Sequence, residues 1–288
     1  MKMKKISILC LLIIAVILPS LLSAQEENPW RMLDGAPYDR DIHPNPDLFM
    51  SSWKESMPRH SHGNLIERDM LTPSEGDPLH PATRGAVLRY VKRLSHAILP
   101  AHETTSPFMP VGEQEIIYID TGNGILNAGS QSIELREGIL LLIPVGIEYT
   151  MTNTGGESLT MYIIVEPVPD GFVPKKQVQV KDEKTLPFGG TTGHWTHMTK
   201  SGFREGEGLA TLTGLCPVWY APMTMGQPHS HFKDVEEIWF SLRGDITILL
   251  GKQLRKFPAG TAYKIPPDGN TPHSTINTGG ILYAVPGG

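Results

Sequence analysis

Three histidines and a glutamate close to the C-terminal end of the 288-residue chain have the types and spacing of a metal-ligand set: His229, His231, Glu237 and His273. Imidazole nitrogens with a carboxylate oxygen suit Mn, Fe, Co, Ni, Cu or Zn, and four protein ligands around an octahedrally inclined ion leave positions for substrate or dioxygen. The spacing works on strands. His229 and His231 are alternate residues and so share a face. Glu237 opens the next strand on one face with Trp239 and Ser241, while Ile238, Phe240 and Leu242 take the other. The run Pro266-Pro267-Asp268-Gly269-Asn270 predicts a tight reversal that returns His273 and a strand over 274–277 across the same cavity. Trp239, Ser241, Thr275 and Asn277 are then expected to line a substrate pocket, with Tyr220 and Tyr263 near its rim. A tyrosine such as Tyr263, or a second carboxylate such as Glu236 or Asp234, is the expected proton-transfer group.

These residues resemble the two sequence motifs of the cupin superfamily. The first motif reads H-x-H, spacer, Glu, six residues and Gly, and Glu237 to Gly244 keeps that interval. The second reads Pro-x-Gly, His, three residues and Asn, matched by Pro267, Gly269, His273 and Asn277 with one extra residue before the histidine. An extra residue also separates His231 from Glu237. Glu236 would restore the commoner spacing, but it breaks the interval to Gly244 and faces the other way. The resemblance implies His229, His231, Glu237 and His273 as ligands of one divalent transition metal, held in a double-stranded β-helix, or jelly-roll, barrel.

The pattern recurs upstream in damaged form, with Glu115, Gly122, Pro144-Val145-Gly146, Tyr149 and Asn153, so the chain resembles a bicupin. Pro107, Phe108, Met109 and Pro110 stand where H-x-H belongs, and Tyr149 replaces the last histidine. The first barrel is therefore expected to hold no metal and to pack its sheet against the second. Composition agrees with an all-β chain: 29 Gly and 25 Pro imply many short strands with frequent breaks. Strands are expected over 86–91, 116–120, 139–143 and 159–165 in a first barrel spanning 86–170. A linker over 171–205 leads to a second barrel over 206–288, with strands over 209–213, 218–221, 238–242, 246–250 and 281–285.

Lys2, Lys4 and Lys5, an apolar run over 6–22 and the small residues Ser23 and Ala24 predict a signal peptide over 1–24, cleaved after Ala24, and hence a periplasmic or extracellular protein. Cleavage removes Cys10 and leaves Cys216 alone, which excludes an internal disulfide. It also takes the net charge from −5 to −8 through loss of three lysines. Without a basic stripe, nucleic acid is excluded as a partner; no membrane association is expected after cleavage, and a homo-oligomer is open.

Residues 25–85 form an extension that the repeat does not explain. His60-Ser61-His62 followed by Glu67 copies the ligand pair, but no closing glycine or Pro-x-Gly…His follows, so these read as loop residues. In another role the extension wraps a barrel mouth and offers Trp53 or His60 to substrate. His194 and His197 read as part of the packed linker.

Fold does not fix chemistry. The leading expectation is an exported metalloenzyme acting on a small oxygen-rich substrate, an organic acid, a sugar or uronate derivative or a phenolic, by dioxygenase or decarboxylase/isomerase chemistry. The bicupin resemblance offers oxalate decarboxylases and flavonol dioxygenases as precedents, although the former carry ligands in both barrels. The competing class is a non-catalytic, metal-stabilised binding or storage protein.

Overall fold

The computed structural model of the protein describes residues 44–189 and 197–279, and the backbone of 282–287. The expected leader with Cys10, and His194, lie outside the described residues. Among the described residues the chain is built of strands joined by turns and short 3-10 segments.

Two barrels share one plan. Each has a large sheet with a seven-strand path, and the two paths match strand for strand. In the first barrel the order is Gln179–Asp182, Ile139–Ile143, Glu113–Thr121, Leu159–Pro167, Arg93–Leu99, Leu65–Pro73 and Arg59–Ser61. In the second it is Met50–Ser52, Thr261–Lys264, Ile238–Arg243, Leu282–Gly287, Val218–Tyr220, His197–Lys200 and Phe188–Gly189. A smaller sheet closes each barrel: Thr150–Asn153, Asn123–Ala128 and Gln131–Arg136 in the first, and Thr224–Met225, His273–Asn277, Asp245–Leu250 and Gln253–Pro258 in the second.

Sequence pattern explains the layering. Asn123–Ala128 alternates exposed and buried positions, as a strand with one wet face must, whereas Ile139–Ile143 is buried throughout because it lies inside the large sheet with both faces covered. The motif glycines make the turns. Gly122 has φ +89°, and a Cβ there would lie 2.7 Å from the Ser158 carbonyl oxygen, so no other residue fits.

The barrels are more entangled than their expected boundaries. The extension is not an arm outside them: Leu65–Pro73 pairs with Arg93–Leu99 inside the first sheet, and Met50–Ser52 pairs with Thr261–Lys264 inside the second. The expected linker likewise supplies Gln179–Asp182 to the first sheet and His197–Lys200 to the second. Nor is 209–213 a strand, despite its apolar alternation. Its backbone N–H groups turn instead to Glu166, whose carboxylate accepts from the amides of Ala210 (3.0 Å), Thr211 (2.8 Å) and Leu212 (2.8 Å) and from Gln114 Nε2 (2.6 Å).

The large sheets pack back to back through a continuous apolar core that includes Ile116, Leu140, Tyr162, Ile238 and Phe240, with the rings of Tyr162 and Phe240 4.9 Å apart. Trp53, expected near a barrel mouth, lies in this seam. Its indole stacks on His96 at 4.3 Å between centroids. A second core fills the interior of the first barrel.

Candidate metal centre

Backbone pairing sets the geometry. His229 and His273 lie opposite each other on neighbouring segments and exchange both hydrogen bonds, His229 N to His273 O at 3.2 Å and His273 N to His229 O at 2.9 Å, so their side chains leave the sheet on one face. His231, two residues on, joins them, and Glu237 approaches from the large sheet. The four ligand-type atoms lie within 4.8 Å of one another, the one such group among the described residues. The turn before His273 is fixed by Gly269 at φ +76°, where a Cβ would meet the Lys233 backbone nitrogen at 2.9 Å, and by Asp268, whose carboxylate accepts from the amides of Asn270 and Thr271 at 2.8 Å each.

The side chains around the four are already oriented. His229 Nδ1 donates to the Gln227 carbonyl at 2.8 Å, which leaves Nε2 to face inward, and Trp239 Nε1 donates to Glu237 Oε1 at 2.8 Å, which leaves Oε2. Glu237 Oε2 lies in contact with His231 Nε2 and 3.4 Å from His273 Nε2. Burial pushes the Glu237 carboxyl upward, but hydrogen bonds from His231 and His273 outweigh it and hold the group well below the usual carboxylate range. The same contact raises His231, while burial lowers His273. A buried carboxylate oxygen ringed by imidazole nitrogens, with no other donor from the described residues, fits a divalent cation of borderline softness. His231 is partly exposed and borders a surface cavity of about 420 Å³ lined by Ser230, Phe232, Lys233, Asp268 and Asn270. Of the four, His231 alone lines that cavity.

Other expected site residues fall on both sides of the sheet. Trp239, Ser241 and Thr275 are buried, Trp239 with its indole on Glu237 and Thr275 beside His197. Tyr220 and Tyr263 are not at a rim but fully buried, and burial raises both phenols well above their ordinary value, so they act as hydrogen-bond donors and not as bases. Asn277 is corrected from pocket to framework: its Nδ2 donates to the Tyr220 carbonyl at 3.0 Å and its Oδ1 accepts from Gly279 N at 3.0 Å. Glu236 is corrected from proton transfer to a clamp between barrels. One residue from Glu237, it faces the seam, where it accepts from the amides of Arg89 (2.8 Å), Tyr90 (3.1 Å) and Val91 (3.0 Å) and pairs with Lys264 Nζ at 2.8 Å. Asp234 pairs with Arg89 at the surface at 2.6 Å.

Two histidines had been placed elsewhere by sequence reasoning. His197 is no linker residue: it opens a strand of the second barrel, buried, with Nε2 3.2 Å from Thr275 Oγ1 and its ring 4.3 Å from Tyr220. His62 enters the first barrel, where its Nε2 lies 3.5 Å from Glu115 Oε1. His60 is exposed, and Glu67 is held by Arg59 (2.6 Å), Arg93 (2.8 Å) and Ser95 (2.5 Å), so the three do not form a ligand set. Extending the internal repeat beyond its motifs, to the strands before each first motif, was the signal that could have placed both histidines inside barrels.

No family model and no curated protein matches the chain. Solved structures do match it across most of its length. A putative glyoxylate-induced protein from Pseudomonas aeruginosa superposes with a TM-score of 0.66 at 15% identity, covering 90% of this chain and 94% of that one. A variant of Bacillus subtilis oxalate decarboxylase gives 0.64 at 11% identity, covering 88% and 79%. Hazelnut vicilin, from Corylus avellana, gives 0.63 at 10% identity, covering 83% and 85%. The chain has the cupin fold, in two copies.

Proposed function

We propose that the protein is a metal-dependent enzyme that works on a small oxygen-rich substrate in its second barrel, and that the predicted leader exports it. The observation that carries this reading is the convergence of His229, His231, Glu237 and His273 with His231 partly exposed at a surface cavity, since an ion that prefers six ligands keeps positions open beside four from the protein. Likeness to oxalate decarboxylase is compatible with it but, at 11% identity, bears on fold alone.

The four side chains would hold the metal, and a bound divalent transition metal supplies Lewis acidity, or a site for dioxygen, beside the substrate oxygens. The protein does the rest. His229 is locked in one tautomer by Gln227, Glu237 is aimed by the Trp239 indole, and the buried phenols of Tyr220 and Tyr263 offer protons for hydrogen bonding without giving them up. Lys233 and Phe232 line the cavity beside His231, giving an arriving anion a charge and an apolar edge.

Turnover tests the reading. Metal-loaded protein should convert a member of a panel of organic acids, uronates and phenolics, with and without dioxygen, and a chelator or the His229→Ala/His273→Ala pair should abolish conversion. Binding without conversion across the panel would make the protein a ligand-binding or storage module instead.

A further inference from the structure

His231 and Glu237, two of the four residues in the metal-ligand set, sit on one short stretch of chain with five residues between them. That stretch is fastened on two sides. Toward its own barrel, the Asp234 amide donates to the Pro267 carbonyl at 3.2 Å and the Glu237 carbonyl accepts from the Ile265 amide at 3.0 Å. Toward the first barrel, Glu236 accepts from the amides of Arg89, Tyr90 and Val91, and Asp234 pairs with the Arg89 guanidinium at 2.6 Å. Lys264, fully buried, ties the two together: its Nζ lies 2.8 Å from Glu236 Oε2 and donates to the Val87 carbonyl at 2.6 Å. The stretch needs such fastening, because Asp234 has φ +68°, a left-handed conformation that a Cβ disfavours and that surrounding contacts must hold in place.

The opposite clamp is built otherwise. Its carboxylate, Glu166, lies on Leu159–Pro167 across from Gln114, and the 210–212 loop that it grips holds no member of the metal-ligand set. Both clamps join the barrels, but one of them alone is fastened to chain that carries ligands. There the gripping residue is also the sequence neighbour of a ligand. Glu236 and Glu237 leave the backbone on opposite faces, so a shift of the backbone at this point moves both carboxylates at once.

We propose that the 87–91 loop of the first barrel is a positioning element of the metal centre, and that Glu236 is the positioning residue through which it aims Glu237. The inference rests on the metal-centre reading above and adds to it what the first barrel contributes. A ligand held in place before the ion arrives need not be ordered when it binds, and groups behind a ligand are worth about 10–100-fold in metal affinity. Most of that hold lies in the buried clamp from Glu236 to the amides and Lys264. The Arg89–Asp234 pair is weaker, since its side chains are 44% and 50% exposed and water screens them.

The test sets two matched changes side by side, Glu236→Gln and Glu166→Gln, in titrations of the full chain with cobalt(II) and zinc(II) against a competing chelator. Each removes the charge from one clamp, so both should lower the unfolding midpoint. Glu236→Gln should in addition bind metal about tenfold more weakly, release it faster and change the visible absorption of bound cobalt, which reports ligand geometry, whereas Glu166→Gln should match the wild type in all three. At saturating metal both should still carry one equivalent, because all four ligands remain. Wild-type affinity and cobalt absorption in Glu236→Gln, or equal losses in the two variants, would overturn the positioning role. If Glu236→Gln does not fold, Arg89→Glu decides from the surface: repulsion of Asp234 should speed metal release about threefold, and unchanged release would overturn the proposal. A wild type that takes up neither metal would instead overturn the metal-centre reading beneath it.

Discussion

Glu115 and Glu237 occupy the same register in two copies of one fold and meet opposite surroundings. Glu237 looks into three imidazoles, one of which, His231, lines a surface cavity. Glu115 accepts from the Tyr149 phenol at 2.5 Å and faces His62, with Phe108 packed on the His62 ring at 3.9 Å. Phe108 stands across from Tyr149 as His229 stands across from His273. The first barrel has thus filled its site with its own side chains. His62 adopts φ +48°, a left-handed conformation uncommon for a residue with a Cβ, and the Gly63 that follows has no room for one beside Ser106. Where the second barrel gathers three imidazoles around its glutamate, the first gathers an aromatic pair and one histidine.

The barrels also differ in how each holds the other. Glu166 of the first grips the 210–212 loop of the second with help from Gln114, whereas Glu236 of the second grips the 89–91 loop of the first with help from Lys264. The largest effect should come from breaking the charged clamp. Lys264→Met should cost roughly 3–5 kcal/mol in denaturant unfolding, because it strips the cation from a buried carboxylate. Metal content per folded chain should be unchanged; a metal-free but stable variant would put Lys264 in the site and not in the seam.

Next in size, Ile117→Ala should cost about 3 kcal/mol by opening a cavity in the apolar interior of the first barrel. A loss below about 1 kcal/mol in denaturant unfolding would show that interior to be loosely packed.

The seam gives a pH-dependent term. Burial pushes His96 down to about 4 from an ordinary 6.5, so the unfolded chain takes up its proton first as the pH falls. Its contribution to stability is complete above about pH 6.5, declines between there and about pH 4, and amounts to about 2 kcal/mol lost near pH 5. His96→Phe should flatten that part of the acid limb in a stability-versus-pH series, and an unaltered limb would place the acid sensitivity elsewhere. Smallest of all, Glu115→Gln should change stability by less than about 1 kcal/mol, since the amide oxygen still accepts from Tyr149.

What the sequence disclosed follows from what it encodes locally. The cluster was legible because His229, His231, Glu237 and His273 sit at strand alternation and turn spacing, and the glycines that shape the turns are short-range signals. The two-barrel plan was legible because the motif repeats. The strand exchange was not, since whether 50–52 pairs with 261–264 or with a nearer segment is decided by long-range register that no local pattern states. For the same reason 209–213 read as a strand: its alternation is real, but a carboxylate from another strand claims its amides. Glu236 beside Glu237 shows the limit most plainly. Neighbouring glutamates on opposite faces of one strand face two different settings, three imidazoles for Glu237 and the 89–91 loop for Glu236, and only the sheet says what lies behind each face.

Metal analysis by elemental mass spectrometry tests the central claim, that one barrel holds the metal and the other has replaced it, most directly. Wild type and a Glu115→Gln/Tyr149→Phe variant should each carry one equivalent per chain, and His229→Ala/His273→Ala none. Metal retained by the last variant, or lost from the first-barrel variant, would contradict the account.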